Sequence, residues 1–415
     1  MTSADTHRFE RRVLLLMALV QFTNIWDFMI VMPLGPDFAR ALGISAGHIG
    51  WISGSYSISA AITGILSARF LDRFDRRSIL LFNLTGLMLA TLSMTLARTL
   101  PELIAVRMIT GVFGGPAVAS SLAIIADVFP EARRGEAVGK VFGSFSIASV
   151  IGVPLGLEIA QLFGWWAPFV AVSVVASLAI VTIRLQLPPM RKHLENRDPA
   201  HLPPLFSSLR HNAAVLPACL LTASNYFAAF MIIPNISAQV QENMGWPRVW
   251  LGLLYFAGGG AAFFSMRLAG RQSDRVGYAK MALYATCGLW VTIFLWFYLQ
   301  TPAVPVVAMF VLFMICMSTR NVTSNALISK IPKAEERAGF MSLMSATQHL
   351  AAGSGAMFST MLLTETPQHR LAGVGHIALL SMALFAVVPW MMFKVEKIVK
   401  RRAADAVVQT ELGGL

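Results

Sequence analysis

Twelve long apolar runs constrain this 415-residue chain more than any other feature. Each holds roughly 20 residues, the length a helix needs to cross about 30 Å of hydrocarbon. Lipid offers no water to backbone N–H and C=O groups, so such segments must be helical. The sequence therefore predicts an all-α polytopic membrane protein with twelve transmembrane helices. The runs cover about residues 13–35, 49–68, 78–97, 102–125, 137–161, 167–186, 213–236, 249–268, 280–299, 303–328, 338–363 and 376–393.

The charge distribution gives the orientation and argues against a nucleic-acid partner. Only 13% of the residues are charged, compared with about 25% in soluble domains. If the loops alternate from a cytoplasmic N-terminus, 27 of the 33 Lys and Arg residues fall on the cytoplasmic side. This positive-inside bias predicts that both termini are cytoplasmic in an inner (plasma) membrane. The net charge of +12 is then an orientation signal rather than a nucleic-acid-binding face.

A polar segment divides the chain into two halves. Residues 187–212 contain five prolines among charged side chains, a composition typical of a loop. We therefore expect four parts, namely an N-terminal six-helix bundle at 1–186, a cytoplasmic linker at 187–212, a C-terminal six-helix bundle at 213–393 and a cytoplasmic tail at 394–415.

The two halves share landmarks at one offset. Asp72 and Asp274 lie in basic segments after the second apolar run of each half and are 202 positions apart. Pro130 and Pro332, which open two other basic loops, have the same separation. One offset at two landmarks indicates an internal duplication, which is common in transporters.

The repeated segment resembles a loop motif of the major facilitator superfamily, roughly Gly-x-Leu-Ala-Asp-Arg-x-Gly-Arg-Lys. The first copy matches it at Asp72, Arg73, Arg76 and Arg77, and the second at Gly270, Asp274, Arg275 and Gly277. The resemblance covers nearly the whole chain. It implies the major facilitator fold, in which two six-helix bundles rock about a central substrate site.

Two further motifs are similar to those of the drug:proton antiporter-1 group and its arabinose-efflux-like branch. Arg107-x-x-x-Gly111 resembles a motif of proton-linked members in the fourth span. Gly152-Val153-Pro154-Leu155-Gly156 resembles the antiporter motif of the fifth span, with Leu157 where the full motif has a further Gly. The resemblance implies proton-coupled export.

The resemblance also implies a charge cluster at the cytoplasmic ends of spans 2, 3 and 4, formed by Asp72, Arg76 and Asp127. Asp72 would face the N-terminus of the eleventh helix, whose partial positive charge favours an anion. Asp274 and Arg275 would be the counterpart near the fifth helix. We expect the cluster to stabilise the outward-facing state. The expected conformational switch comprises Asp72, Arg73, Arg76, Asp127, Gly152, Pro154, Gly156, Asp274 and Arg275.

Ionisable residues inside spans are costly and mark candidate functional positions. Asp27 lies ~21 Å along the first span from the cytoplasm, and Arg107 lies ~8 Å along the fourth from outside. Both depths fall in the outer half of the membrane, and the resemblance implies that helices 1 and 4 both line the central cavity of the N-terminal half, so the two residues are expected to pair. We interpret them as proton-coupling and substrate-binding residues, because proton binding by a buried carboxyl responds to a neighbouring charge. A permanent structural ion pair is the alternative.

The C-terminal half has a basic counterpart without an obvious acid. Arg320 and His349 lie ~15 and ~18 Å from the cytoplasmic ends of spans 10 and 11. Arg320 is expected to contact an anionic or acceptor-rich part of a substrate, or to snorkel toward the inner water layer. His349 is either a titrating group or a polar helix contact. The expected substrate-binding residues are Asp27, Arg107, Asn225, Tyr226, Arg320, Asn321, Gln348 and His349.

These features favour a secondary transporter that exports drugs or amphipathic metabolites in exchange for protons, as a monomer in the lipid bilayer. The alternatives are proton-coupled uptake or facilitated transport of an organic anion, with Arg107 and Arg320 as clamps, and a receptor that binds without transport. An enzyme is not expected, since no nucleotide-binding loop, catalytic triad or metal-ligand spacing occurs. No cofactor or metal is expected either.

Overall fold

The computed structural model describes residues 3–70, 73–191, 194, 214–300, 305–332 and 337–413. The described residues form twelve long helical elements, here α1–α12. The N-terminal six are α1 (Ser3–Ile30, extended by Met32–Leu34 and Gly35–Leu42), α2 (Ala46–His48 and Ile49–Phe70), α3 (Arg76–Ser93 and Met94–Leu96), α4 (Leu100–Val128), α5 (Glu131–Phe142, Ser144–Ile147, Ala148–Gly152 and Val153–Phe163) and α6 (Ala167–Gln186). The C-terminal six are α7 (Val215–Ile232, Ile233–Asn235, Ile236–Ala238 and Gln239–Asn243), α8 (Arg248–Trp250 and Leu251–Val276), α9 (Tyr278–Ile293 and Phe294–Tyr298), α10 (Val306–Ile328), α11 (Arg337–Leu362) and α12 (Val374–Gly413).

Eleven of these helices, counted over the described residues, are long and apolar enough to cross a membrane. The remaining one is α11, which is 26 residues long. It carries Gln348, His349 and several Ser and Thr residues, so its composition is more polar than that of its neighbours. It packs between α2 and α7, where protein rather than lipid surrounds much of its surface. With α11 included, the twelve predicted helices are present.

A short hairpin joins α11 to α12 and was not predicted. Strands β1 (Thr364–Glu365) and β2 (Leu371–Ala372) pair antiparallel, with Thr364 opposite Ala372 and Glu365 opposite Leu371. The Asn243 side chain of α7 exchanges two hydrogen bonds with the Leu371 backbone, at 2.8 and 2.9 Å. The hairpin is therefore fixed to the end of α7.

The two bundles meet along two helix pairs, α2 with α11 and α5 with α8. Glycines allow their backbones to touch. A Cβ on Gly54 would lie 2.7 Å from the Gly353 carbonyl oxygen, and one on Gly259 would lie 2.6 Å from the Ser149 carbonyl oxygen. Small residues permit this close approach where lipid provides no hydrophobic drive between helices.

Polar contacts join helix ends on the side of the protein that carries the basic loops. Arg133 of α5 forms a salt bridge with Glu10 of α1 at 2.6 Å. Glu396 of α12 accepts the backbone N–H of Ala279 at the start of α9. By the positive-inside rule this end is cytoplasmic.

The division into bundles, linker and tail remains a prediction. Most of 187–212 lies outside the described residues. Near its start, Met190 donates its backbone N–H to Asp75 at 2.7 Å and accepts that of Arg76 at 3.2 Å. At the other end of the chain, α12 continues through residue 394 without a break.

Candidate functional site

Asp27 and Arg107 form a fully buried ion pair in the N-terminal bundle. Arg107 Nη1 lies 2.8 Å from Asp27 Oδ2, and both side chains are 0% exposed. This contact between α1 and α4 agrees with the pairing predicted from the sequence. Arg107 Nε and Nη2 have no hydrogen-bond partner in the structure. The guanidinium therefore keeps donors available beside the carboxylate.

The other helices of the bundle complete the surroundings of this pair. Thr91 of α3 donates its hydroxyl to Asp27 Oδ1 at 2.9 Å. The Tyr56 ring of α2 lies below the guanidinium, with its centroid 4.5 Å from Arg107 Cζ. The Tyr56 hydroxyl donates to Asn24 Oδ1 at 2.8 Å. Both carboxylate oxygens of Asp27 are thus engaged, and the positive charge rests on an aromatic face.

The Arg-x-x-x-Gly motif explains how α4 comes so close to α2. Gly111 lies one turn beyond Arg107, and a side chain there would collide with the Tyr56 carbonyl oxygen and Ser59 Oγ. Because Gly111 has no side chain, the α2 backbone can lie against α4, which places the Tyr56 ring under Arg107. The glycine therefore acts through packing.

Arg320 has a different environment in the C-terminal bundle. Its side chain is 0% exposed, and its Cζ lies 3.7 Å from the centroid of the Phe385 ring of α12. Its Nη2 lies 3.2 Å from Met317 Sδ. Nε and Nη1 have no hydrogen-bond partner in the structure. Arg320 thus contacts an aromatic face and a sulfur in place of a carboxylate.

Two polar contacts connect α7 with α10 near Arg320. Asn225 Nδ2 donates to Asn321 Oδ1 at 2.9 Å, whereas Asn225 Oδ1 has no partner. The Tyr226 side chain lies close enough to those of Asn325 and Arg320 to interact with both. Three predicted substrate-binding residues, Asn225, Tyr226 and Asn321, are therefore gathered with Arg320.

The remaining predicted contacts, Gln348 and His349, lie on α11 and are half-buried. Among the contacts that the described residues make, none joins either side chain to Arg320. The distance along each helix gives His349 and Arg320 similar depths in the membrane. Depth does not specify how a helix is rotated about its axis, so it does not predict a contact. Their role in substrate binding remains a prediction.

Aromatic rings lie between the two bundles at the level of the buried pair. The ring centroids of Phe28 (α1) and Phe230 (α7) are 6.0 Å apart. Phe28 also contacts Tyr56, at 5.2 Å. Aromatic surface therefore extends from beneath Arg107 to the C-terminal bundle.

The cytoplasmic charges expected to form a switch are placed in part. Arg76 Nε lies 3.1 Å from Asp127 Oδ2, which joins the start of α3 to the end of α4. Arg73 is exposed. Asp72 lies outside the described residues. The contact between Arg76 and Asp127 belongs to the expected cluster, whose effect on the outward-facing state remains a prediction.

The expected placement of Asp274 and Arg275 near α5 remains a prediction, and the structure gives the contacts that Asp274 makes. Its carboxylate accepts a short hydrogen bond from the Tyr278 hydroxyl, which in turn accepts from Lys330 Nζ at 2.6 Å. Gly277, at φ +102°, ends α8 and turns the chain into α9, which begins at Tyr278. Asp274 is therefore bound within its own bundle, between α8, α9 and the end of α10.

Gly152, Pro154 and Gly156 lie where α5 changes from a π-helical turn, Ala148–Gly152, to α-helix. A Cβ on Gly152 would lie 3.0 Å from Trp26 Cδ1, and one on Gly156 would lie 2.5 Å from Ile30 Cδ1. The motif therefore seats α5 on α1. Irregular turns of this kind are frequent at functional sites, and the switch role of the motif remains a prediction.

The sequence reasoning missed an ion pair on the outer side. Arg248 Nε, at the start of α8, lies 3.0 and 3.1 Å from the two oxygens of Asp37 in α1. Its Nη2 donates to the Leu157 carbonyl oxygen of α5 at 3.0 Å. Nearby, Ser237 of α7 donates to the Pro33 carbonyl oxygen at 2.7 Å. We call Asp37, Leu157 and Arg248 the outer latch, and it joins the bundles on the outer side. Arg248 is one of few basic residues in outer loops, and that rarity was the available signal.

Within the described residues, no group of three or more His, Cys, Asp or Glu side chains is arranged to hold a metal ion. The three cysteines are free thiols. The chemistry available at the site is therefore that of two buried guanidinium groups, one carboxylate, amides and aromatic rings. Such groups can bind a solute and exchange a proton.

A family model described as the Major Facilitator Superfamily matches residues 17–356 and, in a second match, residues 218–408. The curated relatives include a chloramphenicol resistance protein of Streptomyces lividans, which is 26% identical over 60% of this chain and 63% of its own length. A chloramphenicol efflux pump of Mycobacterium tuberculosis is 26% identical over 59% of each chain. The multidrug resistance protein MdtG of Serratia proteamaculans is 24% identical over 62% and 64%. This chain spans less than two thirds of the length of these three relatives.

Solved structures have the same fold. A D-xylose–proton symporter superposes with a TM-score of 0.75 at 18% identity, covering 92% of this chain and 97% of the symporter. The inward-open xylose transporter XylE of E. coli has a TM-score of 0.71 at 17% identity, with coverage of 93% and 96%. At these identities the likeness concerns the architecture alone.

Proposed function

We propose, for a chain that belongs to the Major Facilitator Superfamily, that this transporter exports drugs or amphipathic metabolites in exchange for protons. As a member of this family of transporters, the chain is a multi-pass membrane protein with a small-molecule substrate. Its location is that of bacterial members, the plasma membrane. The names of its chloramphenicol and multidrug relatives support the choice of substrate class.

The buried Asp27–Arg107 pair carries the proton-coupling part of the proposal. Its carboxylate is 0% exposed and depends on one guanidinium and one hydroxyl for its stability as an anion. If substrate binds against the ionised pair, protonation of Asp27 removes the negative charge that holds Arg107, so that proton and substrate compete for the same site. A proton taken up from outside would then displace the substrate, and rebinding of substrate from the cytoplasm would release the proton.

The position of the outer latch supports transport by alternating access. Contacts between the bundles at Asp37, Leu157 and Arg248 hold the outer side together. Substrate would enter the central site from the cytoplasm in this conformation. The latch would then open when the cytoplasmic ends close.

Uptake of an organic anion by two arginine clamps is the competing function. The structure argues against two equal clamps, because Arg107 is already neutralised by Asp27, whereas Arg320 has no acid beside it. A receptor that binds without transport is distinguished by counterflow, which only a transporter performs.

The test is proton flux in proteoliposomes with a pH-sensitive dye trapped in the lumen. The panel holds chloramphenicol, amphipathic cations and organic anions, and empty liposomes correct for passive permeation. Substrate added outside should drive protons out of the lumen by antiport, and this movement should disappear in Asp27→Asn. Glu136→Gln, at an exposed surface salt bridge, is the matched control and should behave like the wild type.

Two outcomes would contradict proton antiport, and a third would contradict the role of Asp27. Proton movement into the lumen with substrate would identify symport. Counterflow of substrate without proton movement would identify a facilitator. Coupled movement that persists in Asp27→Asn would remove Asp27 from the coupling role.

A further inference from the structure

Arg320 is a buried cation that has no counter-ion among the residues that the structure describes. Its side chain is 0% exposed. The titratable side chains that interact with it are those of Cys316 and Tyr226. Both are ordinarily neutral at pH 7. Two of its three nitrogen atoms, Nε and Nη1, have no hydrogen-bond partner. Unpaired buried charges are costly, and proteins normally pair them.

Four acidic residues of the C-terminal bundle lie near the ends of its helices, at a distance from Arg320. Glu365 binds His369 in the hairpin on the outer side, and Glu242 lies in the last turn of α7 beside it. Asp274 and Glu396 bind groups at the cytoplasmic side. These four carboxylates therefore belong to the two ends of the bundle, whereas Arg320 lies in the interior of α10.

The contacts that Arg320 does make hold it in place without neutralising it. Phe385 offers a π face at 3.7 Å, and Met317 offers a thioether sulfur at 3.2 Å. A π face attracts a cation, but a thioether is only a weak acceptor. The two groups orient the guanidinium and leave Nε and Nη1 without an acceptor.

Helix α7 contributes a further polar atom near Arg320. Asn225 Oδ1, on the residue that bonds to Asn321, is a second buried polar atom without a partner. Asn325, about one turn nearer the cytoplasm on α10, is exposed. Phe227 of α7 and Phe358 of α11, with ring centroids 5.8 Å apart, supply aromatic surface in the same bundle.

We propose that Arg320 binds an oxyanion group of the transported substrate, so that the preferred substrates are amphipathic organic anions, such as aryl or alkyl carboxylates. The free Nε and Nη1 donors of the guanidinium can each form a charge-assisted hydrogen bond to an oxyanion oxygen. The aromatic rings would receive the apolar part of the molecule. The inference rests on the transport function proposed above, and it adds the chemical class of the substrate.

The two arginines then have separate tasks. Arg107 is neutralised by Asp27 and belongs to the proton site, whereas Arg320 is neutralised by the substrate. A neutral analogue would leave Arg320 unpaired, which penalises its binding. A cationic analogue would add a like charge beside it and should bind worst.

The test compares three probes that share one aromatic ring system, measured by equilibrium binding to the purified full chain without a pH gradient. The probes are 1-naphthaleneacetic acid, 1-naphthaleneacetamide and 2-(1-naphthyl)ethylamine. The wild type should bind the acid at least about tenfold more tightly than the amide, and the amine more weakly still. This comparison needs no variant, so misfolding does not affect it.

Variants then assign the preference to Arg320. In Arg320→Gln the ratio of acid to amide affinity should fall to about one, with amide binding retained. Arg320→Lys should keep part of the preference, because it keeps the charge but loses the planar fork. Arg267→Gln is the matched control, since Arg267 lies 4.1 Å from the Phe263 ring but is exposed, and it should keep the full preference.

Three results would overturn the proposal. They are equal binding of acid and amide by the wild type, failure of the acid to bind, and an acid preference that persists in Arg320→Gln. These results do not depend on proton coupling. Loss of the Asp27 role in the flux assay would leave the acid preference intact, and loss of the acid preference would leave proton antiport intact.

Discussion

Arg248 and Asp37 form an ion pair across the boundary between the two bundles, although they lie 211 residues apart in the chain. Both side chains are largely buried, at 18% and 16% exposure. Arg248 also reaches the Leu157 carbonyl oxygen, so one guanidinium joins α8 to both α1 and α5. Opening of the outer side must break all of these bonds together.

Arg248→Ala should therefore shift the conformational equilibrium toward the outward-open state. Loss of a partly buried, charge-assisted hydrogen bond costs about 1–3 kcal/mol, which changes a population ratio by roughly tenfold or more. Spin labels at the exposed outer positions Leu162 and Leu299 should show a larger population of long distances. Arg40→Ala is the control, because Arg40 is 53% exposed and also binds Asp37. Equal shifts in the two variants would contradict a specific role for Arg248.

Gly54 should tolerate alanine poorly, because a Cβ there would lie 2.7 Å from the Gly353 carbonyl oxygen of α11. The added methyl group has to push α2 and α11 apart, which should lower the unfolding temperature in detergent by several degrees. Gly64→Ala on the same helix is a matched control, since no atom lies within 4 Å of a Cβ at that position. Alanine is also the better helix former, so Gly64→Ala should leave stability unchanged or raise it. Equal unfolding temperatures for the two variants would show that the helix contact is not tight.

Arg107→Ala should destabilise the protein more than simultaneous replacement of both members of the pair. Removing one partner leaves an uncompensated buried charge, which costs about 3–5 kcal/mol. The double variant Asp27→Asn/Arg107→Gln buries no charge and should recover much of that loss. Unfolding temperatures of the single and double variants, compared in a double-mutant cycle, measure the coupling. Additive losses would indicate that the two charges do not interact.

The outer hairpin should lose local protection in acid. The pKa of Glu365 lies below its ordinary value of 4.5, chiefly because His369 hydrogen-bonds to its carboxylate. A lowered pKa in the folded state means that the carboxylate stabilises the hairpin above the unfolded pKa. This contribution is lost as the pH falls through the folded value. Hydrogen exchange of the amides of Thr366 and His369, which bond within the hairpin, should accelerate below about pH 4.5 relative to Glu365→Gln. An identical pH dependence in the variant would remove Glu365 as the cause.

Depth along a helix explains what the sequence could predict at the site. The rise per residue of an α-helix is fixed, so distance from the membrane surface placed Asp27 and Arg107 at one level. The absence of an acid at the level of Arg320 followed from the same reasoning. The family motifs then supplied the order of the helices around the central site.

Rotation and lateral packing explain what the sequence could not predict. Thr91, Tyr56 and Phe385 contact the buried charges because of how each helix is turned, and residue spacing does not encode this. The ion pair of the outer latch joins Asp37 and Arg248, which lie near loops in different bundles. The distance between them is set only when the two bundles pack together.

The polar character of α11 has a consequence for how the protein enters the membrane. Eleven helices are apolar enough to partition into lipid by themselves, and insertion of each depends chiefly on its own sequence. Because α11 is more polar, its insertion should depend on a surface already formed by α2 and α7, the helices it packs against. Integration of α11 would then be a late step of biogenesis. It would require that the N-terminal and C-terminal halves of the chain have already begun to pack against each other.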